Sequence, residues 1–148
     1  DNTMVNSISL KGFTSFTDNS FSFTNGINIL IGKNGTGKTH LLKSLASAMQ
    51  ARHEFQAKQT TSKEQFEYIL AENMSHYFKP DSIGNLVNKN IISGKSTVGI
   101  VIDGKELLFS FSTTSKTTVK IEKDDKWDDC QFIYIPPREM FSLKVLSG

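Results

Sequence analysis

Hydrophobic and polar positions alternate along two stretches near the start of the chain, residues 7–16 and 21–24. Alternation with a period of two predicts β-strands that bury one face. The stretches are separated by residues 17–20, Thr-Asp-Asn-Ser, which are common turn formers, so the pattern predicts a β-hairpin with its turn there. The apolar run at residues 27–31 predicts a further strand directly after the hairpin.

The spacing of apolar positions then changes to that of a helix. Leu41, Leu45 and Met49 recur at intervals of four and predict a helix over residues 37–50 with one buried face. From residue 52 to residue 92 the chain is polar but keeps a helical pattern, which predicts a helical segment between the two strand-rich parts.

Within that segment, Thr61-x-x-Glu64 has the spacing of a capping box and predicts the start of a second helix. The apolar positions of this helix continue until Lys79-Pro80 ends it: Phe66, Ile69, Leu70, Met74, Tyr77 and Phe78. Three of these residues are aromatic and could offer a base-stacking surface, but aromatic residues at helical spacing favour a core role. A short helix capped by Asp81 or Ser82 is predicted to follow.

After Gly94 the pattern again indicates strands, at residues 97–102, 107–112, 118–122 and 131–135. Asp103-Gly104 is a typical two-residue hairpin turn between the first two of them. Residues 122–129 contain four aspartates and Trp127. They predict an exposed acidic turn, with a metal site as the alternative interpretation.

Composition narrows the class of protein only slightly. With 148 residues, 37% of them hydrophobic, the chain supports one domain with a core. A net charge of +2 neither indicates nor excludes a nucleic-acid partner. Cys130 is the single cysteine and excludes an internal disulfide, and neither a signal segment nor a long apolar span is present. We therefore expect a cytoplasmic protein without a membrane segment.

One motif carries specific chemistry: residues 32–39 read Gly-Lys-Asn-Gly-Thr-Gly-Lys-Thr. The pattern G-x-x-x-x-G-K-[ST] between a strand and a helix is typical of a phosphate-binding loop, whose backbone N–H groups surround phosphate at a helix N-terminus. It predicts ATP as ligand, with Lys38 as the catalytic residue on the β- and γ-phosphates and the Thr39 hydroxyl as a Mg²⁺ ligand. The predicted nucleotide-binding residues are Asn34, Gly35, Thr36, Gly37, Lys38, Thr39 and His40.

The order of these elements resembles the first lobe of an ABC-type ATPase head. Residues 8–16 and 29–39 resemble the first strand and loop of the RecF, SMC and OLD-type ATPases. Residues 132–140, Phe-Ile-Tyr-Ile-Pro-Pro-Arg-Glu-Met, are similar to the "F-I-P-P-R-E" segment of an AAA_15-like group that includes PtuA-like phage-defence proteins. The resemblance implies an α/β P-loop NTPase fold, with antiparallel strands and a helical insertion.

The chain departs from the pattern of these relatives at three places. Thr14 stands where they commonly have an arginine near the phosphates, so that charge is expected from Lys11 or Lys33. Arg138 or Glu139 stands near the position of the family's Q-loop glutamine. Residues 98–103 match the outline of an apolar strand that ends in a Mg²⁺-binding aspartate, but Asp103-Gly104 is better interpreted as a hairpin turn.

The resemblance therefore implies a partial ATPase head, with residues 1–51 as hairpin, loop and helix, 52–92 as helical insertion, and 93–148 as strands. We expect an N-terminal fragment that binds ATP·Mg²⁺ with little turnover. For the full-length protein it implies a head-to-head homodimer in DNA repair or phage defence, acting on DNA or with a nuclease. One alternative is a small-molecule phosphotransferase, with Asp103 on Mg²⁺ and the helical segment 52–92 as a lid over the acceptor, although Arg52 and Arg138 are the only arginines available for the phosphoryl group. The other is a nucleotide-binding interaction module without catalysis.

Overall fold

The computed structural model describes residues 3–23, 36–128, 132–135 and 139–142. The strand predicted before the phosphate loop and the loop itself up to Gly35 lie outside this part of the chain, as do Cys130 and Arg138. In chain order the elements are β1 Thr3–Phe13, β2 Phe16–Ser22, α1 Thr36–Ala57, α2 Lys63–Phe78, a 3₁₀ helix Ile83–Leu86, β3 Lys95–Ile102, β4 Lys105–Ser112, β5 Lys120–Asp124, β6 Phe132–Ile135 and β7 Glu139–Ser142.

The strands form one seven-stranded sheet in the order β5-β4-β3-β1-β6-β7, and β2 also pairs with β1. Strand β1 is long enough to have three neighbours. It pairs antiparallel with β2 and β3 along most of its length, and its first residues pair in parallel with β6. The remaining strand pairs are antiparallel. The predicted antiparallel character is thus confirmed, and β1 joins the two parts of the sheet.

The first hairpin exists, but its predicted turn is wrong. Residues 17–20 lie inside β2, and the chain reverses at Thr14 and Ser15, where Thr14 has a φ of 50°. This turn is held from outside the hairpin, because the Thr14 N–H donates to the Leu86 carbonyl at 2.7 Å. Strand β1 also approaches its neighbour closely at Gly12, where a Cβ would stand 2.5 Å from the Lys95 carbonyl oxygen.

The second hairpin follows the prediction. Ile102 pairs with Lys105 across Asp103-Gly104, and both turn residues have positive φ values, 50° and 78°. Those values are typical of a type I′ turn, whose twist matches that of the flanking strands.

Both helices pack their predicted apolar faces into the core, which includes Leu41, Leu45 and Met49 of α1. Helix α1 continues to Ala57, so its predicted end at residue 50 is wrong. Helix α2 begins one residue later than the capping-box prediction, because Ser62 and not Thr61 accepts the hydrogen bond from the Gln65 N–H. It ends at Phe78, as predicted, with Lys79 in the left-handed conformation as its cap.

Two of the three predicted aromatic residues of α2, Phe66 and Phe78, confirm the core interpretation. Phe66 is 1% exposed, and Phe78 is partly buried against the same core. Phe78 packs edge-to-face on Phe13 of β1, with 5.3 Å between the ring centroids.

The acidic segment at residues 122–128 is mostly exposed, as predicted, but two of its residues are not. Trp127 is only 1% exposed. Asp124, the last residue of β5, pairs with the guanidinium of Arg52, which is itself buried. The segment folds back onto α1 and anchors the edge of the sheet to the end of that helix.

Candidate functional site

The predicted nucleotide-binding residues meet the described structure at the start of α1. This helix begins at Thr36, inside the motif, so Thr36, Gly37 and Lys38 form its first residues. Asn34 and Gly35 lie outside the described residues, and side chains are described from Thr39 onwards. Thr39 is exposed, so its hydroxyl is accessible at the end of a helix where the backbone dipole favours anions.

His40 connects this helix start to the first hairpin. Its Nδ1 lies 3.0 Å from the Thr14 Oγ1, and its ring packs on that of Phe78 with 5.6 Å between centroids. Burial, and secondarily the charge of Lys43, lower the pKa of His40 below its ordinary value. His40 is therefore neutral near pH 7 and forms a wall of the site rather than a phosphate-binding cation.

Small-molecule sites typically have volumes of roughly 300–1,000 Å³, and a cavity of about 550 Å³ lies beside His40. We call it the His40 cavity. It is lined by residues of the β1–β2 turn, both helices and the segment after α2: Thr14, Ser15, His40, Phe78, Asn85, Leu86, Val87, Asn88, Lys89 and Asn90. Sequence reasoning named only Thr14 and His40 as site residues in this set. Residues 85–90 were missed because they carry no motif and reach the site through tertiary contacts.

The floor of this cavity is rigidly attached to the sheet. The Asn88 N–H donates to the Gly12 carbonyl at 2.7 Å, and Val87 forms an isolated bridge with Phe13. The Asn88 side chain donates to the Phe16 carbonyl at 3.3 Å and accepts from the Asn90 N–H at 2.8 Å. Because its side-chain amide both donates and accepts a hydrogen bond, Asn88 fixes residues 85–90 against the first hairpin.

Lys11, a predicted substitute for the relatives' arginine, lies within β1 opposite Asp18 of β2 and Thr97 of β3. It is exposed and does not line the His40 cavity. Lys33, the other predicted substitute, lies outside the described residues.

Asp103 lies at the opposite end of β1 from this site. Its carboxylate accepts from the Met4 N–H at 3.1 Å, whereas His40 contacts Thr14, ten residues further along. At roughly 3.3 Å per residue the two ends are about 30 Å apart. Asp103 therefore caps a hairpin and does not face the start of α1.

Arg52 is also distant from the start of α1. It follows His40 by twelve residues on the same helix, which places it about 18 Å further along the axis. Its guanidinium is engaged by Asp124. The phosphotransferase alternative needs Asp103 on Mg²⁺ at the phosphates and arginines around them, and in the described structure neither Asp103 nor Arg52 lies at the start of α1.

The alternative metal site in the acidic segment has no support in the described part of the chain. No group of three or more His, Cys, Asp or Glu side chains could hold a metal ion among the residues described. Asp124 pairs with Arg52, and the Asp125 Oδ2 accepts from the Glu106 N–H at 2.8 Å. Among the same residues, no helix is long and apolar enough to span a membrane.

Comparison with known proteins identifies the family of this chain. The AAA domain family AAA_23 matches residues 7–129. The DNA replication and repair protein RecF of Francisella tularensis subsp. novicida (strain U112) is 42% identical over 41 residues, which are 28% of this chain and 12% of RecF. RecF of Francisella tularensis subsp. tularensis (strain SCHU S4) matches to the same extent. The match thus spans a small part of the length of these relatives.

Two solved structures are similar in fold. One is the recombination mediator protein RecF with ATP, with a TM-score of 0.50 and 14% identity over 83% of this chain and 27% of RecF. The other is an SMC ATPase, described with ATP-driven dimerization and DNA-stimulated activation, with a TM-score of 0.50 and 13% identity over 82% of this chain and 70% of that one. At such identities the likeness shows the fold alone, and it confirms the predicted α/β P-loop NTPase class.

The family match covers most of the chain, and the fold agrees with it. The protein therefore belongs to the AAA domain family AAA_23, and its fold is similar to those of RecF and an SMC ATPase.

Proposed function

We propose that this chain binds ATP·Mg²⁺ through residues 32–39 at the start of α1. The observation that carries the proposal is the position of that start, since a 22-residue helix begins inside the phosphate-loop motif and leaves Thr39 exposed. Unpaired N–H groups and the helix dipole at such a terminus favour a phosphate. Lys38 would contact the β- and γ-phosphates, and Thr39 would supply a hydroxyl to Mg²⁺, which neutralises phosphate charge when bound.

The His40 cavity would hold the rest of the nucleotide. It adjoins the helix start, and its 550 Å³ is within the range of small-molecule sites. Phe78 and the neutral His40 offer apolar surface, and asparagines 85, 88 and 90 are among the polar residues of the lining. The neutral Thr14–His40 pair adds no positive charge to the cavity, and Lys89 is the one cation in its lining. In this proposal the phosphates are bound mainly by Lys38, Mg²⁺ and the backbone N–H groups.

Calorimetric titration with ATP and Mg²⁺ tests this proposal. We expect wild-type chain and Lys58→Ala, a control at an exposed lysine beyond the other end of α1, to bind alike, and Lys38→Ala to lose measurable binding. Binding by Lys38→Ala that equals that of the wild type would contradict the assignment of the loop. Failure of the wild-type chain to bind would contradict the proposal for this chain.

For the whole protein we propose a cytoplasmic head-to-head homodimer that couples ATP to DNA repair or phage defence, on DNA or with an associated nuclease. The SMC relative's ATP-driven dimerization and the repair role in the name of RecF support this. We further propose that the chain alone hydrolyses little ATP, since no described residue offers the Asp-Glu pair of a hydrolytic site. Rapid phosphate release that Lys38→Ala abolishes would contradict that part.

A further inference from the structure

A second cavity, of about 440 Å³, lies near the far end of α1. We call it the Arg52 cavity. It is bounded by the last turns of α1, the start of α2 and strand β5, and its lining residues are Arg52, Phe55, Gln56, Thr60, Thr61, Lys63, Phe66, Ile121, Glu122, Lys123, Asp124 and Lys126. Arg52 follows Thr36 by sixteen residues, so the cavity is about 24 Å along the helix from the proposed phosphate site. It shares no lining residue with the His40 cavity.

Arg52 is the one buried charged residue in the lining of this cavity. Its side chain is 4% exposed, and the centre of its guanidinium lies 4.3 Å from the centroid of the Phe66 ring. One terminal nitrogen donates to Asp124, while Nε is buried and has no hydrogen-bond partner among the described residues. A buried arginine usually uses more of its five donors. The pair with Asp124 therefore leaves hydrogen-bonding capacity at Arg52 unused.

The charged residues at the cavity are mainly basic. Arg52 and three lysines face two carboxylates, Glu122 and Asp124, so the lining has a net charge of +2. Both acidic groups already have partners: Asp124 binds Arg52, and the Glu122 Oε1 accepts from the Ser110 hydroxyl at 3.0 Å. That hydrogen bond is the largest cause of a lowered pKa of Glu122, with Lys120 and Lys95 contributing, so Glu122 stays ionised at neutral pH.

The three lysines of the lining differ in whether they form ion pairs with carboxylates. Lys123 lies 3.4 Å from Glu106 and 3.6 Å from Asp125, both outside the lining. Lys63 and Lys126 are exposed, and no ion pair joins either of them to another residue of the described part. Two exposed cations of the lining thus have no carboxylate partner within the described part of the chain.

The cavity also has an apolar wall. Phe55 stacks on Phe66, with ring centroids 4.8 Å apart and 26° between the planes, and Ile121 of β5 is buried beside them. Phe55 is only partly buried, so part of its ring surface remains available. A wall of aromatic surface next to a few basic groups is the usual composition of a small-molecule site.

We infer that the Arg52 cavity binds a small organic anion, with a flat apolar body against the partly exposed ring of Phe55 and a carboxylate or phosphate beside Lys63 and Lys126. Arg52 would strengthen the positive field at the anionic group. This inference does not depend on the proposed ATP site.

NMR titration of ¹⁵N-labelled chain tests the inference, and Lys38→Ala is used throughout so that the phosphate loop does not contribute. The probes are phenyl phosphate, phenylacetate and uncharged benzyl alcohol. The indole N–H of Trp127, the one tryptophan, gives a separate signal, and its ring lies 5.6 Å from the Arg52 guanidinium. We expect saturable shifts at residues 60–66 and 121–127 with at least one anion, and binding of benzyl alcohol roughly tenfold weaker because it lacks the charge.

Lys63 and Lys126 supply the decisive variants, because they are exposed and their replacement should not unfold the chain. Lys63→Gln/Lys126→Gln is expected to weaken the binding of the anions by about ninefold, from roughly threefold for each charge. The matched control Lys105→Gln/Lys116→Gln removes two exposed lysines elsewhere and should leave binding unchanged. Tighter binding of phenyl phosphate would identify a phosphorylated ligand, and tighter binding of phenylacetate a carboxylate. Three results would overturn the inference. These are an affinity for benzyl alcohol equal to that for the anions, the same loss of binding in both double variants, and no saturable shift with either anion.

Discussion

Replacing Arg52 by methionine should destabilise the fold more than any exposed charge change. Arg52 is 3% exposed, and methionine roughly preserves its volume while removing the guanidinium that binds Asp124. Loss of one partner from a buried ion pair typically costs about 3–5 kcal/mol, because the other charge is left without compensation. Asp124 would not be left wholly uncompensated, because its side chain is 17% exposed to solvent and its Oδ1 also accepts a hydrogen bond from the Lys126 N–H at 2.8 Å. We therefore expect a cost of about 3 kcal/mol.

Thermal and urea unfolding followed by far-UV circular dichroism measure this cost. For a domain of this size about 3 kcal/mol corresponds to a loss of roughly 6–12 °C in Tm. Arg52→Met/Asp124→Asn removes the residual charge while keeping an acceptor for the Lys126 N–H, and should recover about half of the loss. Lys123→Met, which removes only exposed ion pairs, is the control and should cost at most about 1 kcal/mol.

Two results would refute this reasoning. A cost below about 1 kcal/mol for Arg52→Met would mean that the pair is hydrated and behaves like a surface salt bridge. A double variant no more stable than the single variant would mean that the unpaired carboxylate is not the source of the loss.

Two further predictions concern the ends of elements. Ser62→Ala should lower the free energy of unfolding by about 1 kcal/mol, because it removes the hydroxyl that accepts from the Gln65 N–H, whereas Thr61→Ala should change it by less than about 0.5 kcal/mol. Equal losses in urea unfolding would mean that Ser62 is not the cap. Gly104→Ala, at a φ of 78° with nothing within 4 Å of the new Cβ, should cost about 1–2 kcal/mol of backbone strain. Gly12→Ala adds a Cβ 2.5 Å from the Lys95 carbonyl oxygen and should cost more than Gly104→Ala in the same assay, so a smaller or equal cost would contradict the close approach.

Local signals predicted the elements that local chemistry controls. Asp103-Gly104 has the backbone preferences of a type I′ turn, and the two strands beside it follow from their apolar residues. The helical face of Leu41, Leu45 and Met49 was predicted for the same reason, because helical spacing alone decides which side chains share a face. The predicted end of α1 is seven residues too early. Residues 51–57 continue the helix beyond the stretch in which apolar residues recur at helical spacing.

The errors lie where distant segments decide the outcome. The first turn forms at Thr14 and Ser15 because backbone hydrogen bonds from Thr14 and Asn88 anchor it to the segment after α2. Sequence alone preferred the Asp-Asn pair four residues later. Trp127 was assigned to an exposed turn because its neighbours are acidic, but Asp124 of that segment is held by Arg52.

The sequence by itself determined the family-level features of this protein, since the phosphate-loop motif and the alternating strands depend on residue types a few positions apart. Tertiary structure alone decided what surrounds that motif. In the folded chain, His40 and Thr14 lie beside Phe78, and Asp103 lies at the end of β1 that is distant from His40. Arg52 is buried and pairs with Asp124. These arrangements join residues 26 to 99 positions apart. Periodicity is a local property, and long-range contacts depend on how whole elements pack.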